Sequence, residues 1–163
     1  MREHTEYSRP GDEEVGRMLT QEQYEIMVNG GTEKPFTSEH LNAEGREGIY
    51  VDAVTGEPLF TTYDQYDAGC GWPSFTRPIG GGCIKEFEDK FHGMHRTEVR
   101  SSGGGFHLGH LFADGPADKG GLRYCINGAA IRFVPRGDME VEGYAYLLPY
   151  LNERKREAGS DSI

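Results

Sequence analysis

GGLRYCINGAAIRF, residues 120–133, reads as two extended segments and places a single cysteine in the first of them. Tyr124 and Ile126 are strand formers, as are Ile131, Phe133 and Val134. Side chains alternate along a strand, so Arg123, Cys125 and Asn127 share one face while Leu122, Tyr124 and Ile126 share the other. A thiol, a fixed cation and a carboxamide then occupy one surface. Two readings stay open at this point. Arg123 can depress the Cys125 thiol and make it a nucleophile, or Cys125 can be a small buried residue between polar neighbours.

Working outward, the same short extended pattern recurs from residue 45 onward. GIYVDA, EPLFTT, CIKEFE, RTEVRSS, HLGHLF, RYCING and AIRFVP are separated by turn residues, the signature of an antiparallel β domain. The helical signal precedes it. Thr20 and Gln23 have capping-box spacing, Tyr24, Met27 and Val28 share a face, and Gly30-Gly31 close the helix. GDEEVGRML predicts a shorter helix before that one. Three segments result: an N-terminal arm with a short helix (1–19), a main domain (20–150), and a polar C-terminal tail (151–163) that is expected to fray.

Composition bounds the function. The chain of 163 residues suits one domain. Its 36 % apolar and 11 % aromatic content belongs to a folded globular protein. A net charge of −10 argues against nucleic acid or an anionic membrane as the main partner. No apolar run is long enough to span a bilayer, and the polar, acidic start resembles neither a secretory signal nor a transit peptide. The expected location is the cytoplasm, where Cys70, Cys83 and Cys125 rest as thiols.

Beyond the Cys125 strand, three places could carry chemistry. His107 and His110 in FHLGHLF have a spacing that puts them on opposite faces of a regular strand, so a shared site requires a bulge or bend near Gly109. His92 and His95 in FHGMH have the same spacing and read equally well as a surface pair. DAGCGWPSFTRP, residues 67–78, sets Cys70 and the only tryptophan, Trp72, in a glycine-flanked loop; an aromatic plug closing the sheet is the plainer reading. No CxxC pair occurs, so a zinc ribbon is absent. A Cys-His-Asn acyl-transfer site and a metal-binding module both fit these residue types.

Taken together and in order, GCGWPSF, HLGHLFADGP and GGLRYCINGAAIRF resemble methionine sulfoxide reductase of the B type. The resemblance spans about residues 15 to 150 and includes LTQEQYEIMVNGGTEKPFTSEH and GIYVDAVTGEPLF. It implies a mainly β fold of two small antiparallel sheets preceded by short N-terminal helices, and the reduction of methionine-R-sulfoxide, free or in oxidised proteins, without a cofactor. It further implies Cys125 as nucleophile and Cys70 as the recycling cysteine, joined in a transient disulfide that thioredoxin reduces. Trp72 matches the ring that receives the substrate's S-methyl group. His107, His110 and Asn127 match the polar residues around the sulfoxide oxygen, and Arg123 the arginine near the thiolate. Where many members carry two zinc-binding CxxC pairs, this chain has Asp52, Thr55, Ser101 and Gly104, which resembles the zinc-free branch. Cys83 matches no functional cysteine and reads as a packing residue. YSRPGDEEV also resembles the start of the B domain in fused reductases.

Overall fold

The computed structural model describes residues 7–80, 82–90 and 93–161. Two short helices come first, α1 at Asp12–Met18 and α2 at Gln21–Met27. Thr20 Oγ1 accepts from the Gln23 N–H at 3.1 Å and Gln23 Oε1 accepts from the Thr20 N–H at 3.0 Å. This is the reciprocal cap that the spacing of those two residues predicts. Val15, Ile26 and Met27 carry the buried faces of the two helices into the core.

The rest is mainly β, as expected. The strands are β1 Gly48–Asp52, β2 Pro58–Thr61, β3 Gln65–Tyr66, β4 Ser74–Phe75, β5 Ile84–Asp89, β6 Arg96–Ser101, β7 His107–Phe112, β8 Arg123–Ile126 and β9 Ile131–Pro135. They form one sheet of three strands, ordered β2-β1-β9, and one of six, ordered β3-β4-β8-β7-β6-β5. The strand pairs are antiparallel. Strands β3 and β4 have two residues each, too few to register as alternation, so their stretch reads as loop from sequence.

All five residues of β1 are buried, because its sheet is covered on both sides. Tyr50 points into the core shared with the six-stranded sheet, beside Phe60, Phe75, Leu108, Tyr124 and Ile126. Ile49 and Val51 point the other way, against Val134, Met139, Leu147 and Leu151. Phe60 and Phe75 stack with ring centroids 4.2 Å apart, joining the two sheets through an aromatic pair. Cys83 is fully buried in this core, as a packing residue should be.

The C-terminal segment departs from expectation. Rather than fraying, Leu148–Asp161 forms helix α3. Leu151 seals the outer face of the three-stranded sheet, and Arg154 is only 5 % exposed. Its guanidinium donates from Nε to Asp64 Oδ1 at 3.0 Å, and Asp64 also accepts from the Thr61 hydroxyl at 3.0 Å. Apolar periodicity could not reveal this helix, because an ion pair between residues far apart in the chain supplies much of its anchorage. Arg154→Ala leaves the buried Asp64 carboxylate with only the Thr61 hydroxyl and the longer 3.6 Å contact to Arg77, and is expected to cost about 2 kcal/mol, or roughly 6 °C in Tm, read by thermal unfolding. Among the described residues, no helix is long and apolar enough to cross a membrane.

Candidate functional site

Strand β8 lies between β4 and β7, with Ser74 and His110 as the cross-strand partners of Cys125. The alternation holds: Tyr124 and Ile126 are buried in the core, while Arg123 and Cys125 are half-buried on the other face. Directly opposed residues share a face of the sheet. His110 and Ser74 are therefore on the Cys125 side by register alone.

A bulge brings the second histidine to that side. Strand β6 pairs Glu98 with His110 and Val99 with Gly109, but Arg100 pairs with His107, so Leu108 is the extra residue. The bulge cancels the parity of the i, i+3 spacing, and the two imidazoles meet edge to face at 5.4 Å between centroids. Gly109 is required beside it, since a Cβ there would lie 1.9 Å from the Cys125 carbonyl oxygen.

The second cysteine arrives on the loop before β4. Cys70 Sγ is 4.0 Å from Cys125 Sγ and 3.4 Å from the Ser74 hydroxyl. Gly71 permits this approach: its φ is +94°, and a Cβ would lie 2.7 Å from that of Pro35. The Phe36 N–H donates to the Gly71 carbonyl at 2.7 Å, and the Trp72 indole donates to the Glu33 carbonyl at 3.0 Å. The loop is thus tied to the segment after α2. Once one of the two sulfurs is oxidised, closing this separation to the bonded 2.03–2.05 Å forms a disulfide.

The surroundings act in opposite directions on the two thiols. Burial, and then the Cys70 sulfur beside it, push the Cys125 thiol up to about 12, with Arg123 working against both. Burial acts upward on Cys70 too, but the Ser74 hydroxyl, the Cys125 thiol and Arg123 outweigh it and leave Cys70 below its ordinary value. Arg123 draws the Cys125 thiol down by its charge and a hydrogen bond, while its Nε and Nη2 donate to Asp114 at 2.8 and 3.1 Å. Its guanidinium also lies 4.2 Å over the Phe112 ring.

A cleft of about 90 Å³ opens against Cys125, walled by Trp72, His110, Phe112, Arg96 and Asn127. His110 Nε2 is 2.9 Å from Asp89 Oδ2. His107 is not part of that wall: it is 5 % exposed, with Nδ1 bonded at 2.6 Å to Glu98 Oε2. Burial holds its imidazole below the ordinary range, although Glu98 pulls the other way. Asn127 is held at both ends, accepting from the Glu33 N–H at 3.0 Å and donating to the Leu108 carbonyl at 3.0 Å. Its carboxamide thus fixes the bulge and the loop as well as facing the cleft. Arg96, Phe112 and Glu33 were not singled out from sequence, since each looks there like an ordinary strand or loop residue. Of the FHGMH pair, His95 is exposed and 3.4 Å from Glu88, and His92 lies outside the described residues.

The two loops that would carry zinc ligands do meet. Asp52 Oδ1 accepts from the Val54 and Thr55 N–H groups at 2.7 and 3.0 Å. A Cβ at Gly104 would lie 3.0 Å from Thr55 Cγ2. Burial pushes the Asp52 carboxyl up, and the Ser101 hydroxyl with those backbone groups draws it back. One carboxylate and two hydroxyls do not make the thiolate and imidazole set of a structural zinc site. Among the described residues, no group of three or more His, Cys, Asp or Glu is placed to hold a metal ion.

Compared with models of known protein families, residues 19–135 match the SelR domain.

Proposed function

The chain belongs to the SelR domain family, the peptide-methionine (R)-S-oxide reductases, and on that premise we propose how its own residues perform the reduction. The observation that carries the reading is the Cys125 thiol in a cleft walled by an indole and an imidazole, with the Cys70 sulfur 4.0 Å behind it on the border of a separate hollow. The cleft has room for the end of one methionine side chain. The S-methyl group packs on Trp72, the electrophilic sulfur faces Cys125, and the oxygen lies toward His110. The placement of the oxygen, not the apolar contact, separates the two epimers.

Cys125 sulfur attacks the sulfoxide sulfur while its proton is passed to the oxygen, by way of His110. The oxygen ends on Cys125 as a sulfenic acid and methionine leaves: the methionine sulfur gains two electrons and the Cys125 sulfur loses two. The Cys70 thiol then displaces the hydroxyl, forming the Cys70–Cys125 disulfide and water. A dithiol protein of the thioredoxin type, in the cytoplasm, supplies the two electrons that reopen it. A separate hollow of about 380 Å³ borders Cys70 between Tyr66, Asp114, Pro116 and Arg123, which gives such a reductant an approach to the recycling sulfur. The Asp52–Thr55 and Ser101–Gly104 loops, held by hydrogen bonds, support the zinc-free reading.

The deciding experiment offers separated R and S epimers of methionine sulfoxide with dithiothreitol and measures methionine. Release from the R epimer alone is expected. Release from the S epimer only, or an acyl adduct on Cys125 after incubation with acyl donors, would overturn the reading in favour of another class. Trp72→Ala removes the apolar contact to one methyl group. Its expected effect is a rise in KM of about tenfold with kcat largely kept, and an unchanged kcat/KM would remove Trp72 from the pocket.

A further inference from the structure

Two charged residues outside the family motifs quoted above bear on this cleft, Arg96 lining it and Asp89 behind the His110 ring, and their geometry fits a role in the chemistry. Asp89 and Arg96 are the terminal cross-strand pair of the β5–β6 hairpin. Asp89 Oδ2 receives the His110 ring at 2.9 Å and Arg96 Nη2 at 3.4 Å. The other carboxylate near that ring is committed elsewhere: Glu98 bonds His107 at 2.6 Å and Arg100 at 2.8 Å. Arg96 lines the cleft together with His110 and Cys125. Its Nε is buried with no hydrogen-bond partner among the described residues, a costly condition for a charged donor unless an acceptor arrives.

We propose that Asp89 and Arg96 form the oxygen side of the cleft, Asp89 as the positioning residue that holds the His110 proton on Nε2, and Arg96 as the donor to the sulfoxide oxygen through Nε–H. The proposal rests on the reductase reading above. A carboxylate bonded to one ring nitrogen selects the tautomer and orientation of an imidazole. With the proton on Nε2, His110 keeps its lone pair on Nδ1. Nδ1 takes the Cys125 proton as the sulfur attacks and hands it to the oxygen, so the ring returns to its starting state. Arg96 changes no protonation state. It stabilises charge on the oxygen while the sulfur–oxygen bond breaks, and its Nη2 holds the Asp89 carboxylate in place.

The test has two readouts. Without substrate, ¹⁵N NMR of the His110 ring in the wild-type chain is expected to show hydrogen on Nε2, and Asp89→Asn to show a mixture of tautomers. An unchanged tautomer in Asp89→Asn overturns the positioning role. With methionine-R-sulfoxide, single-turnover rates are expected to fall about tenfold or more in Asp89→Asn, with partial recovery in Asp89→Glu. Arg96→Lys keeps the charge but removes Nε–H, and is expected to lose about tenfold in kcat with KM within about twofold and the His110 tautomer intact. A wild-type kcat in Arg96→Lys overturns its role as donor. Should Asp89→Asn fail to fold, Asp89→Ala carries the same tautomer and rate readouts, and Arg96→Lys carries the donor test. Failure of the wild-type chain to release methionine from either epimer would instead sink the reductase reading, and the NMR result would still report on the Asp89 contact.

Discussion

Cys125→Ser is expected to reduce methionine formation to background, a loss of more than about 10³-fold in the single-turnover rate. The reason is electronic. The reaction needs an atom that can attack sulfur and then carry away oxygen in a two-electron oxidation. A thiol sulfur does this by becoming a sulfenic acid, and a serine hydroxyl has no equivalent product. The replacement is nearly isosteric at a half-buried strand position, so a far-UV spectrum and Tm close to those of the parent should accompany the lost activity. Measurable turnover by this variant, with either thioredoxin or dithiothreitol, would dismiss Cys125 as the nucleophile.

Cys70→Ser separates the second half of the cycle from the first. About one methionine per chain is expected, followed by arrest in the thioredoxin-coupled assay and a single added oxygen on Cys125 by mass spectrometry. Cys83 offers no rescue: burial pushes its thiol up to about 12, and Sγ donates to the Ile79 carbonyl at 2.9 Å. Sustained thioredoxin-dependent turnover would nevertheless assign the resolving role to it. The variant has a second signature. The Cys70 sulfur is among the causes that push the Cys125 thiol up, so its removal is expected to move that thiol downward. Alkylation of Cys125 by iodoacetamide at neutral pH should then be faster in Cys70→Ser than in the parent. A slower or equal rate would mean that the neighbouring sulfur does not hold the Cys125 proton.

Much of the candidate site was legible because its logic is local. The face shared by Arg123, Cys125 and Asn127 follows from strand alternation, and the Thr20–Gln23 cap from spacing within one turn. The need for a bulge between His107 and His110 was readable too, but its position at Leu108 depends on the register of β6 against β7. The residues missed are those whose partners are distant in sequence. Arg96 and Asp89 look like ordinary charges on a hairpin until β7 delivers His110 beside them. Glu33 looks like a loop residue until its backbone accepts Trp72 and donates to Asn127.

By itself the sequence determined the first helices and the longer strands, the side of β8 on which the thiol stands, and the chemical types gathered around it, because these depend on neighbours within a few residues. Only the tertiary structure decided three further points. It placed Cys70 4.0 Å from Cys125, it committed Arg123 to Asp114, and it anchored the last helix through Arg154 and Asp64. Distance and desolvation set the strength of such charge and thiol pairs, and both quantities exist only once the strands and loops have packed.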